Sequence, residues 1–348
     1  MFLKLFEYTD TISEEWDKFV LASSLGSIHQ ISNWKKFQEK IPGRGEVLGF
    51  GVRDKKGKII ATTFCVRMET GFLDKFWYYS ARGPVFDIKN KKALKFLLQA
   101  VNEKLKEKGG IFWRFDPYLE PSAKYPDSKE KKENLILKSA TQDYQPTDTL
   151  EIDLTQTEDA ILAQMKRRGR NGINKAIKKE VKIQIIENGQ FSENNLKDFY
   201  DLNIETTTRD GFSGHKIDYY QNFLSSLKNS AVLFFATYED QRIASAISTF
   251  CGDKAIYYFG ASTSNRELNK LKAPTLLQWE MMKYAKKRGC KTYDFLGIAP
   301  ENEPNHSYAG ISQFKHGFGG YRKIYQPGKE IVLNKFWYFI YQMMKKFK

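Results

Sequence analysis

The sequence contains few of the residues that build metal sites, disulfide frameworks or membrane spans. Its 348 residues include only three cysteines, Cys65, Cys251 and Cys290, without Cys-x-x-Cys spacing. This argues against structural zinc and disulfide scaffolds, and favours a reducing compartment. No run approaches the ~18 apolar residues of a membrane span, and acidic residues interrupt the start where a signal peptide needs an apolar core. We therefore expect a cytoplasmic protein that holds no metal and no cofactor.

Basic and aromatic residues are abundant instead. The content of 41% hydrophobic and 15% aromatic residues can fill two cores, and the chain is long for a single one. Lys and Arg number 56 against 41 Asp and Glu, which gives a formal net charge of +15. Such a charge attracts polyanions, including RNA, phosphorylated metabolites and anionic lipid headgroups. A merely well-solvated basic surface is the alternative.

Residues 47–117 and 232–298 repeat one plan of elements. Each copy begins with two β-rich runs joined by a charged turn, VLGFGVRDKKGKIIATTFC and VLFFATYEDQRIASAISTFC. An aromatic strand and an amphipathic helix with a basic, glycine-containing end follow in both copies. Each copy closes with a strand that finishes on an acidic residue, Asp116 in the first and Asp294 in the second. The pattern predicts an internal duplication of one α/β unit.

The order of helix, hairpin, strand, helix and strand is similar to that of the acetyltransferase (GNAT-type) fold. The sequence therefore predicts an α/β (α+β) protein with two tandem lobes, the first formed by residues 1–152 plus 326–348 and the second by 153–325. A basic helix within residues 157–183 is expected to open the second lobe. Residues 334–348, NKFWYFIYQMMKKFK, predict a final helix that returns to the first lobe, and a membrane-surface contact is the alternative use of this segment.

Eight short motifs follow one another in an order that a known family shares. They are GSIHQISNWKKF, YYSARGPVFD, FWRFDP, KRRGRNGINKAIKKEVKI, HKIDYYQNF, APTLLQWEMM, YDFLGI and QFKHGFGG. Together they resemble the Fem family (FemABX) of non-ribosomal peptidyltransferases, which add amino acids to the stem peptide of peptidoglycan precursors. The motifs extend over nearly the whole chain. Without a heptad insertion in the second lobe, the chain resembles the compact members that lack a helical arm.

The resemblance implies transfer of an aminoacyl group from the ester of a charged tRNA to the side-chain amine of a lysine-type residue in the muropeptide. The acceptor would be UDP-MurNAc-pentapeptide or lipid II, bound by the first lobe, and aminoacyl-tRNA would be a co-substrate on the side of the second lobe. A monomer is expected. Both substrates are polyanions, in agreement with the charge of +15. The sequence leaves open which amino acid is transferred.

The resemblance also implies catalytic residues. Phe314 and Lys315 match the pair that sits where the two substrates meet, with Lys315 stabilising negative charge on the reacting ester and Phe314 positioning it. A surface lysine before a glycine-rich turn is the alternative. Asp116 is the candidate that accepts or orients a proton of the attacking amine, because a free lysine amine has a pKa near ~10.4. It could equally pair with Arg114 or begin a turn.

Further positions match the family's contacts with the acceptor. Lys36 would supply the charge that meets the precursor's diphosphate. His215 stands where some relatives have an arginine, and since histidine is a weaker, pH-dependent partner for anions, this task could fall to Lys216. The full set of expected substrate-binding residues is Trp34, Lys36, Arg82, Gly83, His215, Lys216, Tyr219, Tyr258 and Phe259.

The basic stretch from Lys166 to Lys179 is the candidate for tRNA contact. Arg167, Arg168 and Arg170 are the residues expected to bind phosphates. A solvated helix face is the alternative reading of the same charges.

Two other classes of function remain open at the level of sequence. A CoA-dependent N-acyltransferase of GNAT type would need a glycine-rich pyrophosphate loop between the fourth strand and its helix. Neither ARGPVFDIKNKKAL nor GASTSNRELNKLKAPT supplies one. A module that binds RNA or a membrane surface would explain the charge and the C-terminal segment, but not the acidic residues at the two strand ends.

Overall fold

The chain folds into two compact units. The computed structural model describes residues 3–123, 135, 137–187 and 191–346. The first unit comprises Met1–Thr147 and Ile324–Lys348, and the second comprises Asp148–Lys323. The sequence predicts a boundary near residue 152. The structure divides the chain before Asp148 instead, because the strand that starts there pairs with a strand of the second unit.

The first unit contains the first copy of the predicted repeat. Its elements are β1 (Lys4–Glu7), α1 (Ser13–Ala22), α2 (Ser32–Gln38), β2 (Arg44–Arg53), β3 (Ile59–Glu69), β4 (Phe76–Ser80), β5 (Val85–Phe86), α3 (Lys91–Glu107), β6 (Phe112–Phe115) and β7 (Leu137–Ser139). Strands β2 and β3 form an antiparallel hairpin, and β4 pairs parallel with β6. Helix α3 is the crossover: Asn90 caps its start, and its buried face repeats at helical spacing through Leu94, Leu97 and Val101.

The second unit repeats this plan. Its elements are β8 (Asp148–Asp153), α4 (Glu158–Gln164), α5 (Arg167–Lys178), β9 (Lys182–Ile186), α6 (Glu193–Asp210), α7 (Ile217–Leu227), β10 (Ala231–Tyr238), β11 (Gln241–Cys251), β12 (Lys254–Ser262), α8 (Arg266–Asn269), α9 (Ala273–Lys287), β13 (Thr292–Gly297) and α10 (Ala309–Lys315). Strands β10 and β11 form the hairpin, and β12 pairs parallel with β13 after the crossover helix α9. The predicted duplication is confirmed.

The predicted basic helix within residues 157–183 is two helices. Met165 and Lys166 have extended backbone conformations between α4 and α5. The Lys166 N–H donates to the Gly317 carbonyl at 3.0 Å. Periodicity in the sequence cannot reveal a break that this non-local hydrogen bond holds in place. The unit also opens with strand β8 rather than with a helix.

The chain finally returns to the first unit. Strand β14 (Tyr321–Ile324) borders β8, β15 (Lys329–Val332) lies between β6 and β7, and α11 (Lys335–Lys346) follows. The sheets have the orders β1-β2-β3-β4-β6-β15-β7, with β5 beside β3, and β14-β8-β13-β12-β11-β10-β9. Helix α11 buries Tyr338 and Tyr341 against Phe112, which confirms the predicted returning helix. In the described part of the chain, no helix has the length and apolar character to cross a membrane.

Candidate functional site

The end of β13 is irregular in a way that turns a backbone carbonyl toward Lys315. Its pairing with β8 shifts register between Asp294 and Gly297, and Leu296 has a left-handed backbone with φ 58°. The buried carboxylate of Asp294 accepts from the Leu296 N–H at 2.7 Å and fixes this bend. Bulges of this kind re-aim groups next to active sites. Here the Gly297 carbonyl accepts from Lys315 Nζ at 2.6 Å.

Lys315 is a buried cation at the end of α10. The residue is 6% exposed, and burial lowers the pKa of its amine to about 8, with the Asp294 charge acting in the opposite direction. An ammonium group has three donors, and the Gly297 carbonyl occupies one of them. Phe314 is half-buried and packs edge-on against Phe318 at 5.2 Å between ring centroids. Lys315 is therefore a preorganised cation rather than a mobile surface lysine.

The start of α5 supports the segment that carries Lys315. A Cβ at Gly169 would lie 2.5 Å from the Gly317 carbonyl oxygen, so the glycine permits a close approach of the two backbones. The Arg168 guanidinium donates to the Gln313 carbonyl, and that of Arg170 to the Met165 carbonyl. Of the three arginines expected to contact tRNA, two thus bind the protein's own backbone. Arg167 is exposed.

An aromatic group in the second unit gathers most of the remaining candidates. The exposed His215 ring stacks on Tyr219 with 3.7 Å between centroids and 14° between planes. Phe259 contacts both rings edge-on at 6.4 Å, and Tyr258 lies 4.9 Å from Phe259. Lys216 is exposed at the N-cap of α7, directly beside this group. The structure therefore brings these five predicted residues together.

In the first unit, Asp116 is held by hydrogen bonds rather than by Arg114. The buried carboxylate accepts from the Tyr79 hydroxyl and from the Arg82 N–H, each at 2.7 Å. Burial raises its pKa to about 6, while the Arg82 charge acts to lower it. Arg114 instead forms a buried ion pair with Glu330 of β15. A carboxyl with a pKa near neutrality is suited to proton transfer, which is the role expected of Asp116.

Arg82 and Gly83 lie deep in the first unit. Arg82 is 1% exposed, its guanidinium carbon lies 4.5 Å from the Tyr118 ring centroid and 5.1 Å from that of Tyr325, and it donates to the Pro146 carbonyl at 2.7 Å. A Cβ at Gly83 would lie 2.6 Å from the side-chain amide of Gln30. Both residues shape the interior, and their expected substrate contacts stay predictions.

Trp34 and Lys36 occupy different faces of α2. Trp34 is buried between His29 and Phe37, with ring centroids 4.4 and 5.2 Å away. Lys36 is exposed; burial raises the pKa of the nearby Asp17, and the charge of Lys36 acts against that rise. Only Lys36 thus offers its side chain to a ligand from solution.

Sequence reasoning missed the partners that define these sites. Gly297 contributes a main-chain carbonyl, and a pattern of residue types cannot predict such a contact. Tyr79 and Glu330 lie on strands. For a strand, the sequence pattern predicts on which face of the sheet a side chain lies, but not which residue it contacts. The duplication did carry one usable signal, because it aligned Asp116 with Asp294, and both are buried carboxylates beside a buried cation.

The sequence and the fold of this chain are similar to those of proteins from one family. The model of the FemAB family matches residues 11–242 and 237–346. A lipid II:glycine glycyltransferase of Staphylococcus epidermidis (strain ATCC 35984) is 23% identical, over 97% of this chain and 96% of that protein. The crystal structure of FemX superposes with a TM-score of 0.82 at 20% identity, over 97% and 99% of the two chains.

A tandem GNAT protein from the clavulanic acid biosynthesis pathway, 10% identical, superposes with a TM-score of 0.53 over 96% of this chain and 99% of that one. The structural likenesses establish two GNAT-like lobes, as the order of elements predicts. The family match spans nearly the whole length. The chain belongs to the FemAB family.

Proposed function

We propose that this protein is an aminoacyltransferase that moves an amino acid from aminoacyl-tRNA to the side-chain amine of the peptidoglycan stem peptide, forming the interpeptide bridge. The observation that carries the proposal is membership of the FemAB family over nearly the whole chain, and the similarity to a lipid II:glycine glycyltransferase supports it. The buried cation Lys315 supports it, because acyl transfer develops negative charge on the ester carbonyl oxygen.

The reaction needs three changes of bonding. The neutral amine of the acceptor attacks the ester carbonyl carbon and forms the C–N bond of the new amide, the bond between that carbon and the ribose oxygen of the tRNA breaks, and one proton leaves the amine. The proton lost by the amine balances the one gained by the leaving hydroxyl. Lys315 Nζ, with donors left beyond its bond to Gly297, stabilises the oxyanion. Asp116 orients or accepts the amine proton, a task that suits its raised pKa.

The acceptor is UDP-MurNAc-pentapeptide or lipid II, and no cofactor takes part. Lys36, Lys216 and the aromatic group around His215 are the exposed candidates for binding it. The protein acts as a monomer in the cytoplasm. A flat stacked pair such as His215 and Tyr219 suits a sugar or base face, while the lysines suit phosphate.

Helix α11 gives the protein a peripheral contact with the inner face of the membrane. Phe336 and Phe339 are 64% and 61% exposed on one side of the helix, and Met343 continues the stripe. Lys335 and Lys345 are exposed at its ends. An apolar stripe flanked by lysines is the pattern of helices that lie in an anionic bilayer surface.

The proposed reaction is tested with labelled aminoacyl-tRNAs, each incubated with the protein and with either precursor. The muropeptides are then analysed by mass spectrometry. We expect one aminoacyl-tRNA to add the mass of its residue at the side-chain amine of the stem peptide. If no aminoacyl-tRNA modifies either precursor, the proposal is wrong. A large thermal shift with acetyl-CoA would instead favour CoA-dependent acyl transfer, although the connections β4–α3 and β12–α9 hold no glycine-rich loop.

A further inference from the structure

Helix α5 has one buried face and one exposed face that carries several cations and no acidic residue. Glycines, Ile173 and Ala176 form the inner face, which packs on α9 and on the segment after Lys315. The outer face carries exposed polar residues three or four positions apart, so that they lie in one row along the helix. This row, called here the α5 row, consists of Arg167, Asn171, Lys175 and Lys178.

The cations of the α5 row have no acidic partner among the residues that the structure describes. In the part of the chain that the structure describes, Arg167, Lys175 and Lys178 form no salt bridge. The helix sequence RRGRNGINKAIK contains no acidic residue that could neutralise them. By contrast, Arg168 and Arg170 donate to backbone carbonyls of the second unit. Lys175 and Lys178 are therefore better placed for an external anion than two of the arginines that the sequence singles out.

We propose that the α5 row binds the phosphate backbone of the tRNA donor. This inference rests on the proposed function and adds a location to it. From Arg167 to Lys178 the row extends about 16 Å along the helix, which is long enough for several consecutive phosphates. Asn171 contributes an amide that donates to phosphate or ribose oxygens between the cations.

The attachment of α5 gives the RNA a direction. The N-terminal end of the helix is joined to the segment that carries Lys315, through the Lys166 N–H to the Gly317 carbonyl and through Arg168 to the Gln313 carbonyl. The C-terminal end, with Lys178, leads away from that segment. The aminoacylated 3′ end of the tRNA therefore lies at the Arg167 end of the row, and the stem extends toward Lys178.

An RNA fits the α5 row better than a membrane does. The row consists of three cations and one amide, and Ile177 is the one large apolar side chain of α5 that is strongly exposed. Membrane-surface helices need an apolar face that enters the acyl boundary, which α11 has and α5 lacks.

The test replaces three charges and keeps the side chains polar. We compare the Arg167→Gln/Lys175→Gln/Lys178→Gln variant with a control, Lys55→Gln/Lys56→Gln/Lys58→Gln, which removes the same charge from an exposed turn of the first unit. Binding of unfractionated bacterial tRNA is measured between 50 and 300 mM salt, roughly the range in which phosphate contacts change affinity strongly. Each lost phosphate contact lowers the slope of log affinity against log salt by about 0.7 to 0.9.

For the α5 variant, we expect the slope of log affinity against log salt to decrease in magnitude by about 2 to 3. Its affinity for tRNA at low salt should fall about tenfold or more, while the control changes little. Equal slopes in both variants would overturn the inference, even if aminoacyl transfer itself is established. Loss of binding to anionic vesicles with unchanged tRNA binding would overturn it too, in favour of a membrane contact. Lys175→Glu, a single change at an exposed site, repeats the test if the triple variant fails to fold, and an unchanged slope there would also contradict the proposal.

Discussion

The ionisation of Lys315 makes a direct prediction about activity. Its amine is charged below a pKa of about 8 and neutral above it, because burial favours the neutral form. If the charge stabilises the oxyanion, kcat falls as pH rises through about 8. Lys315→Arg keeps a cation at all accessible pH values, so its residual kcat is expected to lose this decline. The pH profile of kcat for both proteins is the measurement.

Removal of the side chain tests the same role in a second way. We expect Lys315→Ala to lower kcat by about 10²- to 10³-fold, the range found for deleted oxyanion donors. Lys270→Ala, at an exposed lysine paired with Glu267, is the control and should retain normal kcat. A Lys315→Arg enzyme that still declines above about pH 8 would show that another group causes the decline.

Asp116 makes a prediction about stability. Its pKa in the folded protein is raised to about 6 from 3.8, so its contribution to stability is complete below about pH 4 and is lost as pH rises through about 6. The loss corresponds to about 3 kcal/mol. Asp116→Asn keeps a group that can bond to both Tyr79 and the Arg82 N–H but cannot ionise. The variant should therefore gain stability relative to the wild type between pH 4 and pH 7.5.

Urea unfolding followed by tryptophan fluorescence measures this difference. Five of the six tryptophans lie in the first unit, and only Trp279 lies in the second, so the signal reports mainly the unit that contains Asp116. An equal difference between variant and wild type at both pH values would mean that the carboxyl does not change its ionisation in that range.

At the residue scale, the sequence singles out candidate side chains more readily than it shows what those side chains touch. Lys315 and Asp116 are recognisable because motif and strand end mark them. Their partners are a carbonyl freed by a register shift and a hydroxyl on a neighbouring strand. Both contacts depend on backbone geometry that the spacing of residues in the sequence does not predict. The same limit explains why the sequence left the pairing of Asp116 with Arg114 open, since Glu330 is more than two hundred positions away from Arg114.

Among the elements, α5 depends on a glycine for its contact with the segment of Lys315. A Cβ at Gly169 would lie 2.5 Å from the Gly317 carbonyl oxygen, which forces a shift of one backbone. Gly169→Ala is expected to destabilise the protein by about 1 to 3 kcal/mol, despite the better helix propensity of alanine, and to lower kcat. Thermal unfolding and steady-state kinetics measure the two effects.

Gly310→Ala is the matched control for that change. Gly310 also lies in a helix, α10, and a Cβ there would meet no atom within 4 Å. Alanine should be neutral there or stabilise by up to about 1 kcal/mol. If Gly169→Ala behaves like Gly310→Ala, the two backbones are not in close contact.

Helices and strands could be predicted from the sequence where the apolar pattern and the residues at the ends of the element indicate the same structure. The two hairpins have apolar runs and charged turns, α3 starts with a capping Asn90, α9 has a proline in its first turn, and a glycine follows the end of each helix, so the sequence alone places them. It fails at β8, which has no hairpin partner and joins the second sheet through β13. It fails again between α4 and α5, where a tertiary hydrogen bond breaks a continuous helical pattern.

For the whole molecule, the basic residues behind the net charge of +15 include two surfaces of different character. The α5 row in the second unit combines three cations with one amide, and α11 in the first unit combines cations with exposed phenylalanines. Salt weakens phosphate contacts of either kind, but only the apolar stripe of α11 retains part of its affinity at high salt, because burial of apolar surface is not screened.

The proposed membrane contact of α11 makes a prediction that distinguishes the two proposed acceptors. Burying two phenylalanines in a bilayer surface contributes about 3 to 6 kcal/mol, so Phe336→Ser/Phe339→Ser should lower partitioning onto anionic vesicles by at least about tenfold. With lipid II in such vesicles, kcat/KM falls by a similar factor, whereas with UDP-MurNAc-pentapeptide in solution no membrane encounter is needed and the two proteins should match. Leu21→Ser, at a singly exposed leucine of the first unit, is the control. Equal losses with both acceptors would place the phenylalanines in precursor binding or folding instead of at a membrane.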